Sequence, residues 1–256
     1  MIFAGAFGWV RNAVRDPGPD FPRFGLGRRV LYIRRDLAPR ATAIFAALDR
    51  LAAHPPATAG RGNRASGFRL PLDGGPEIFA RVGRRGGLIS HLLSDLYLGA
   101  TPRPVRELAV ANEARLRGIP VAEPLGAMVE TVVPGLYRGV FLTRAMAGMT
   151  LWEFLRTDDD PLVRTHVIGH ARGAIDTMHR GGLLHADLNL HNLFVTQAGD
   201  QFSVAILDLD KARLFSAPIA PARRHANLAR LARSARKLDP EGACLDARMI
   251  AVLTAP

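Results

Sequence analysis

The segment from Leu183 to Leu209 constrains this chain most, because it places a short polar run between two apolar segments. Asp187 stands five residues before Asn192, and Asp208 follows an apolar run that has the pattern of a strand. Phosphoryl transfer needs such a set of groups, since one carboxylate can orient an attacking hydroxyl while an amide and a second carboxylate hold Mg²⁺ against the phosphates of ATP. A tight loop that leads into a short hairpin would bring residues 192 and 208 together. We therefore predict Asp187 as the catalytic base, and Asn192 and Asp208 as metal ligands.

Each of these three residues also has an ordinary interpretation, as a turn residue or a helix cap. Taken singly, that interpretation would be preferred. Taken together, three polar groups at these offsets between apolar strands have no structural reason to be there. His185, two residues before Asp187, is expected to hold the backbone of the loop rather than to take part in chemistry.

The string HADLNLHN at residues 185–192 resembles the catalytic loop H-x-D-L-x-x-x-N of protein-kinase-like enzymes. DLDKARL at residues 208–214 stands in the place of their metal-binding D-F-G element. With RRGGL at residues 84–88, these strings are similar to the bacterial 3-deoxy-D-manno-octulosonic acid (Kdo) kinases of the lipopolysaccharide kinase family. The resemblance runs from about Gly60 to Leu238.

The resemblance implies an α+β fold with two lobes, as in protein kinases. We expect an antiparallel-sheet N-lobe at residues 56–147 and a small, mainly helical C-lobe at residues 148–256, which carries the catalytic loop. A hinge between the lobes is expected near Gly148. Residues 1–55 are expected to form an N-terminal extension of uncertain structure.

Three glycines, Gly60, Gly62 and Gly67, stand at the start of a predicted pair of strands. A glycine-containing turn lets backbone N–H groups approach phosphates closely, because no Cβ intervenes. The alternative is an ordinary hairpin turn. In the light of the resemblance, we assign these glycines to nucleotide binding.

The next predicted strand contains Arg81, at the position where kinases have the lysine that contacts the α- and β-phosphates. Arginine can make a bidentate phosphate contact, although its planar fork differs from an ammonium group. The alternative is an exposed strand arginine. In an active kinase a helix glutamate pairs with this cation. Glu107 fits that role best, and Glu113 is the second candidate.

Helices are also predicted outside this region. Asp160 followed by Pro161 has the pattern of an N-cap and first helical residue, and His166, His170 and His179 are expected to be ordinary residues of that helix. Apolar residues from Leu88 to Tyr97 recur at helical spacing. Residues 222–238 predict a third helix whose leucines share one face. Its other face is either solvated or in contact with anionic lipid, and carries Arg223, Arg230, Arg233 and Arg236.

The net charge of +11 is carried almost entirely by arginine, and it predicts attraction to anionic surfaces such as lipid head groups or phosphorylated glycolipids. No basic motif interleaved with aromatic residues appears, so specific nucleic-acid binding is not expected. The single cysteine, Cys244, excludes an intrachain disulfide. No apolar run is long enough for a transmembrane helix. We expect a cytoplasmic protein that is peripheral on the cytoplasmic face of the bacterial inner membrane.

The resemblance implies an ATP- and Mg²⁺-dependent kinase that phosphorylates the 4-hydroxyl of a Kdo residue on an anionic glycolipid, the lipid A precursor. Asn189 stands where many serine/threonine kinases have a lysine, and the 48 residues after Asp208 contain no Ala-Pro-Glu. Both features favour a non-peptide acceptor, and no protein partner is expected. Two alternatives remain. One is another small-molecule or lipopolysaccharide heptose kinase of the same fold, and the other is a pseudokinase or membrane-associated regulatory module.

Overall fold

The structure is a computed structural model that describes residues 17–53, 65–83, 96–99 and 101–255. The described residues form two compact units. The sheet unit takes the residues up to Asn112 together with Glu123–Ala145. The helical unit takes Glu113–Ala122 and the residues from Met146 onward.

The sheet unit is built on a seven-stranded antiparallel sheet. Its strands are β1 Arg23–Leu26, β2 Arg29–Ile33, β3 Ala65–Leu70, β4 Ile78–Gly83, β5 Tyr97–Leu98, β6 Pro124–Val133 and β7 Leu136–Arg144. The strand order is β1-β2-β6-β7-β4-β3, and β5 pairs with β7. A two-residue turn joins β6 to β7, and its second residue, Gly135, has a φ of 81°, which residues with a Cβ rarely adopt. The helices are α1 Ala41–Ala53, which a 3₁₀ helix at Arg35–Arg40 precedes, and α2 Arg103–Leu116, which belongs to this unit up to Asn112.

Residues 17–53, which belong to the expected extension, are part of the sheet unit. Strand β2 pairs with β6, with Val30 opposite Val129. Helix α1 lays Ile44 and Leu48 on the same core as Leu142 of β7. This long-range pairing encloses the apolar face of the sheet, so these residues are a structural part of the unit.

The helix that the sequence predicts from Leu88 to Tyr97 does not include Tyr97 in the structure. Residues 84–95 lie outside the described residues, as does RRGGL, but Tyr97 belongs to strand β5. Its ring stacks on that of Tyr137, with centroids 5.7 Å apart, and the two residues are paired across β5 and β7. Tertiary pairing therefore overrides the helical spacing at this residue.

In the part of the chain that the structure describes, the helical unit contains four complete helices and two small sheets. The helices are α3 Leu151–Thr157, α4 Pro161–Arg180, α5 Pro221–Leu238 and α6 Ala247–Thr254. The strands are β8 Met149–Thr150, β9 Leu183–Leu184, β10 Leu193–Ala198, β11 Gln201–Ile206 and β12 Arg213–Leu214, and a 3₁₀ turn covers Leu190–Asn192. The strand orders are β11-β10-β8 and β12-β9. Helix α4 starts as predicted, because Asp160 accepts a hydrogen bond from the Leu162 N–H and Pro161 occupies the first turn.

Helix α5 has the predicted amphipathic pattern. Leu228, Leu231 and Ala235 are buried, and Arg233 and Arg236 are exposed. None of the helices in the described ranges combines the length and apolar character that a bilayer-spanning helix requires.

Candidate active site

The hairpin of β10 and β11 brings the backbones of Asn192 and Asp208 to the same end of one small sheet. Leu193 is paired with Ile206, and just beyond this pair the Leu207 N–H donates to the Asn192 carbonyl over 2.9 Å. Asp208 follows directly, with a φ of 59°, the only positive φ of a non-glycine residue in the described ranges. Such a conformation is strained for residues with a side chain, although Asp tolerates it better than most.

The amide of Asn192 is oriented by the catalytic loop itself. Its Nδ2 donates to the Asp187 carbonyl over 2.8 Å, so its Oδ1 is the end left for a cation. Asn189 donates to the same carbonyl over 2.9 Å and accepts from the His191 N–H with its Oδ1. The Nδ2 and the Oδ1 atoms of Asn189 are therefore both hydrogen-bonded within the loop.

The oxygen ligands offered by Asn192 and Asp208 suit Mg²⁺, which is held in proteins by one or two carboxylates and completes its shell with water and substrate phosphate. Within the described residues no group of three or more His, Cys, Asp or Glu side chains is placed to hold a metal ion. A transition-metal site would need three or more such side chains as ligands. His166 and His170 contact each other, with their Nε2 atoms 3.1 Å apart.

His185 joins the catalytic loop to the strand that precedes Asp208. Its side chain is 1% exposed, its Nδ1 accepts from the Asp187 N–H over 3.1 Å, and its Nε2 donates to the Leu207 carbonyl over 2.9 Å. Burial lowers the pKa of His185, which agrees with a neutral ring because Nδ1 must stay an acceptor. The residue thus has the structural role that its position predicted.

Asn227 of helix α5 supports the same loop from the other side, and sequence reasoning missed it. Its Nδ2 donates to the His185 carbonyl over 2.8 Å, and its Oδ1 lies 3.0 Å from Nε2 of His179. Since Oδ1 can only accept, His179 must carry its proton on Nε2. All three residues are buried, and burial lowers the pKa of His179. The chain of contacts therefore links α4, the catalytic loop and α5.

Asp187 and Arg230 form an ion pair, which the sequence did not predict. The Arg230 Nη2 donates to Oδ1 of Asp187 over 2.5 Å, and the two side chains are 50% and 51% exposed. Arg230 was assigned to the solvated or lipid-facing side of its helix. A signal was present, since Arg230 follows Asn227 by three residues and so lies on a neighbouring face of α5.

In the sheet unit, Arg81 of β4 pairs with Glu107 of α2. Glu107 is 4% exposed, and the Arg81 guanidinium lies over the Phe141 ring at 5.8 Å from its centroid. The second candidate, Glu113, instead accepts a hydrogen bond from Arg117 over 2.8 Å. The geometry therefore joins Glu107, rather than Glu113, to the cation of β4.

Of the three glycines assigned to nucleotide binding, Gly60 and Gly62 lie outside the described residues. Gly67 lies on β3 opposite Arg81. A Cβ on Gly67 would overlap the end of the Phe79 ring. The packing of that ring accounts for a glycine at this position, whether or not a nucleotide is bound.

The chain is similar to a known protein family. The family model described as lipopolysaccharide kinase (Kdo/WaaP) family matches residues 75–247. The chain belongs to this family. The match includes Asp187, Asn192 and Asp208, and it also includes Arg81 and Glu107.

Related proteins carry matching names. A "3-deoxy-D-manno-octulosonic acid kinase" of Xylella fastidiosa (strain M23) is 35% identical over 193 residues, which cover 74% of this chain and 72% of that protein. Another of the same name, from Pasteurella multocida (strain Pm70), is 31% identical over 131 residues, 50% of this chain and 53% of that protein. The present chain is therefore a phosphotransferase that acts on a sugar hydroxyl, and its function is related to lipopolysaccharide.

A solved structure, "WaaP in complex with acyl carrier protein", matches 87% of this chain and 88% of its own with a TM-score of 0.54 and 16% identity. This similarity shows the fold, which is the α+β protein-kinase-like fold that the sequence predicted. In that structure WaaP is in complex with a second protein. That finding runs against our expectation of no protein partner, which we do not retain.

Proposed function

We propose that this protein transfers the γ-phosphoryl group of ATP to the 4-hydroxyl of a Kdo residue on a lipid A precursor. The observation that carries the proposal is that Asp187, Asn192 and Asp208 lie on one loop and hairpin that hydrogen bonds hold together. The chain that contains them belongs to the Kdo/WaaP family. A backbone held by His185 and Asn227 keeps these groups in place before substrate binds. Preorganisation of this kind is the main source of catalysis in phosphoryl transfer.

Each residue has a separate role in the proposal. Asp187 orients the acceptor hydroxyl and accepts its proton through a carboxylate oxygen. The Asn192 amide oxygen and the Asp208 carboxylate would hold Mg²⁺, which supplies charge neutralisation at the phosphates when it is bound. Arg81, which Glu107 holds in place, contacts phosphate oxygens of the nucleotide. Gly67, with Gly60 and Gly62, stays a candidate for backbone contact to the phosphates.

We further propose that the protein works on the cytoplasmic face of the inner membrane. Helix α5 exposes Arg223, Arg233 and Arg236 on one side, and basic residues near an anionic surface each add to membrane attraction. Flotation with vesicles that contain phosphatidylglycerol tests this proposal. The triple glutamine variant of these arginines should bind less than wild type at low salt, and equal binding would refute it.

The test of function is an acceptor screen with radiolabelled ATP. We expect the radiolabel to appear on a Kdo-lipid A precursor. NMR of the product should place the new phosphate on the 4-hydroxyl. Transfer to a heptose-containing acceptor alone would favour the heptose kinase alternative. ATP binding without turnover on any acceptor, in wild type and in Asp208→Asn alike, would favour the pseudokinase alternative.

An acyl carrier protein is a further candidate partner, because the solved WaaP structure contains one. Co-elution of the two purified proteins in gel filtration would support it. Separate elution at micromolar concentrations would remove it.

A further inference from the structure

Arg230 is the one cation that an ion pair places on the carboxylate of Asp187 within the described residues. We propose that Arg230 binds the carboxylate of the acceptor sugar and so selects an acidic sugar for phosphorylation. This inference rests on the proposed function, because Asp187 must be the group that faces the acceptor hydroxyl.

The first argument comes from the atoms that the ion pair uses. One N–H of Arg230, on Nη2, donates to Oδ1 of Asp187. A guanidinium has five N–H donors in a planar fork, and such a fork can bind a carboxylate by two parallel hydrogen bonds, so Arg230 has more donors than the one that it gives to Asp187. A carboxylate also has two oxygens, so Asp187 can accept from Arg230 and from a substrate hydroxyl at the same time.

The second argument comes from the chemistry of the acceptor. In a 3-deoxy-octulosonic acid the carboxylate is carbon 1, the ring begins at carbon 2, and carbon 3 carries no hydroxyl. The carboxylate and the 4-hydroxyl therefore sit on ring carbons separated by a single methylene. When Asp187 orients the 4-hydroxyl, the ring holds the substrate carboxylate on the carbon that is two bonds away from the one bearing this hydroxyl. Arg230, which is hydrogen-bonded to Asp187, is within reach of a carboxylate at that spacing.

The third argument is that Arg230 is exposed yet held at its base. Its side chain is 50% exposed, so a substrate can reach it, and exposed ion pairs contribute little to folding. One turn earlier on α5, Asn227 is buried and bonded to the His185 carbonyl. The helix that carries Arg230 is thus fixed to the catalytic loop. Asn189, at the kinase lysine position, has its amide engaged within the loop and supplies no charge.

The test uses two soluble acceptors, the methyl glycoside of Kdo and the same glycoside with its carboxylate converted to a carboxamide. Wild type should prefer the acid by about 10- to 100-fold in kcat/KM, the value of a hydrogen-bonded charge pair. Arg230→Gln should lose this preference through a raised KM for the acid, so that its ratio of kcat/KM for acid over amide falls to about one; this ratio corrects for any effect on Asp187 that both acceptors share. Arg230→Lys should keep part of the preference, because it retains the charge without the fork.

Arg138→Gln is the matched control, since Arg138 is 49% exposed and also lies in an ion pair, with Glu130 of the sheet unit. It should keep the full preference for the acid. A second readout needs no turnover. In the Asp187→Asn background, calorimetric binding should still favour the acid over the amide, and adding Arg230→Gln should abolish that difference.

Three results separate the two proposals. If wild type phosphorylates neither glycoside nor the Kdo-lipid A precursor, the proposed function fails and the inference fails with it. If wild type is active and Arg230→Gln still prefers the acid, only the inference fails. If Arg230→Gln slows both acceptors equally through kcat, Arg230 acts on Asp187 or on the transferred phosphoryl group, and the inference is again wrong.

Discussion

Replacement of Asn227 by leucine tests whether the buried polar network holds the catalytic loop. Leucine has the same number of side-chain heavy atoms and the same branching at Cγ but neither donates nor accepts, so the variant loses the 2.8 Å bond to the His185 carbonyl and the 3.0 Å bond from His179. Both partners are then buried without a hydrogen bond. Each unsatisfied group costs about 1–3 kcal/mol, so the free energy of unfolding should fall by about 2–6 kcal/mol. That loss is a large part of the stability of an ordinary domain.

Urea denaturation measures this loss, and hydrogen exchange locates it. The peptide that contains the Asp187 amide should exchange faster in the variant. His225→Leu is the control, because His225 is exposed two residues earlier on the same helix and should change stability by no more than about 0.5 kcal/mol. The double variant Asn227→Leu with His179→Leu should recover part of the loss, since it removes both partners of one bond. A loss below about 0.5 kcal/mol for Asn227→Leu would refute the reasoning.

Three further predictions concern stability. The free energy of unfolding of Asp208→Gly should be about 1 kcal/mol higher than that of Asp208→Ala, because both variants lack the carboxylate and only glycine relieves the strain of the positive φ. Equal urea midpoints for the two variants would contradict this. His185 has a pKa below its ordinary value of 6.5, so its neutral form adds stability that is complete above about pH 6.5 and declines as the pH falls below it. Unfolding free energy measured from pH 7 to 5 should therefore fall less steeply in His185→Gln than in wild type, and equal slopes would contradict this. Arg81→Met should cost about 3–5 kcal/mol by leaving the Glu107 charge buried, and adding Glu107→Met should restore most of it; additive losses would argue against a buried pair.

Local signals in the sequence were sufficient for the elements near the catalytic loop. The Asp160 cap fixed the start of α4, because a cap acts within one turn of its own residue. The position of Asp208 after an apolar strand fixed the hairpin, since β10 and β11 are adjacent in sequence. Motif spacing predicted the functional residues of the loop, which stay a prediction, and the resemblance identified the fold.

Contacts between distant residues were not accessible in this way. Asn227 and His185 are 42 residues apart, and their contact has no periodic signature in either segment. Val30 and Val129 pair across strands that no local pattern connects, so the sheet role of residues 17–53 went unseen. Arg230 looked like any other arginine of a solvated helix face, because its partner comes from a loop and not from its own helix.

The measurement that tests the central claim most directly is the transfer of phosphate from radiolabelled ATP to a Kdo-lipid A precursor by wild type and by Asp187→Asn. The variant keeps the backbone carbonyl that positions Asn192 and loses the carboxylate that we propose as the proton acceptor, together with its ion pair to Arg230. We expect wild type to label the acceptor and Asp187→Asn to do so at least about 100-fold more slowly, the usual contribution of a general base. Equal labelling by the two proteins, or no labelling by either, would contradict the account.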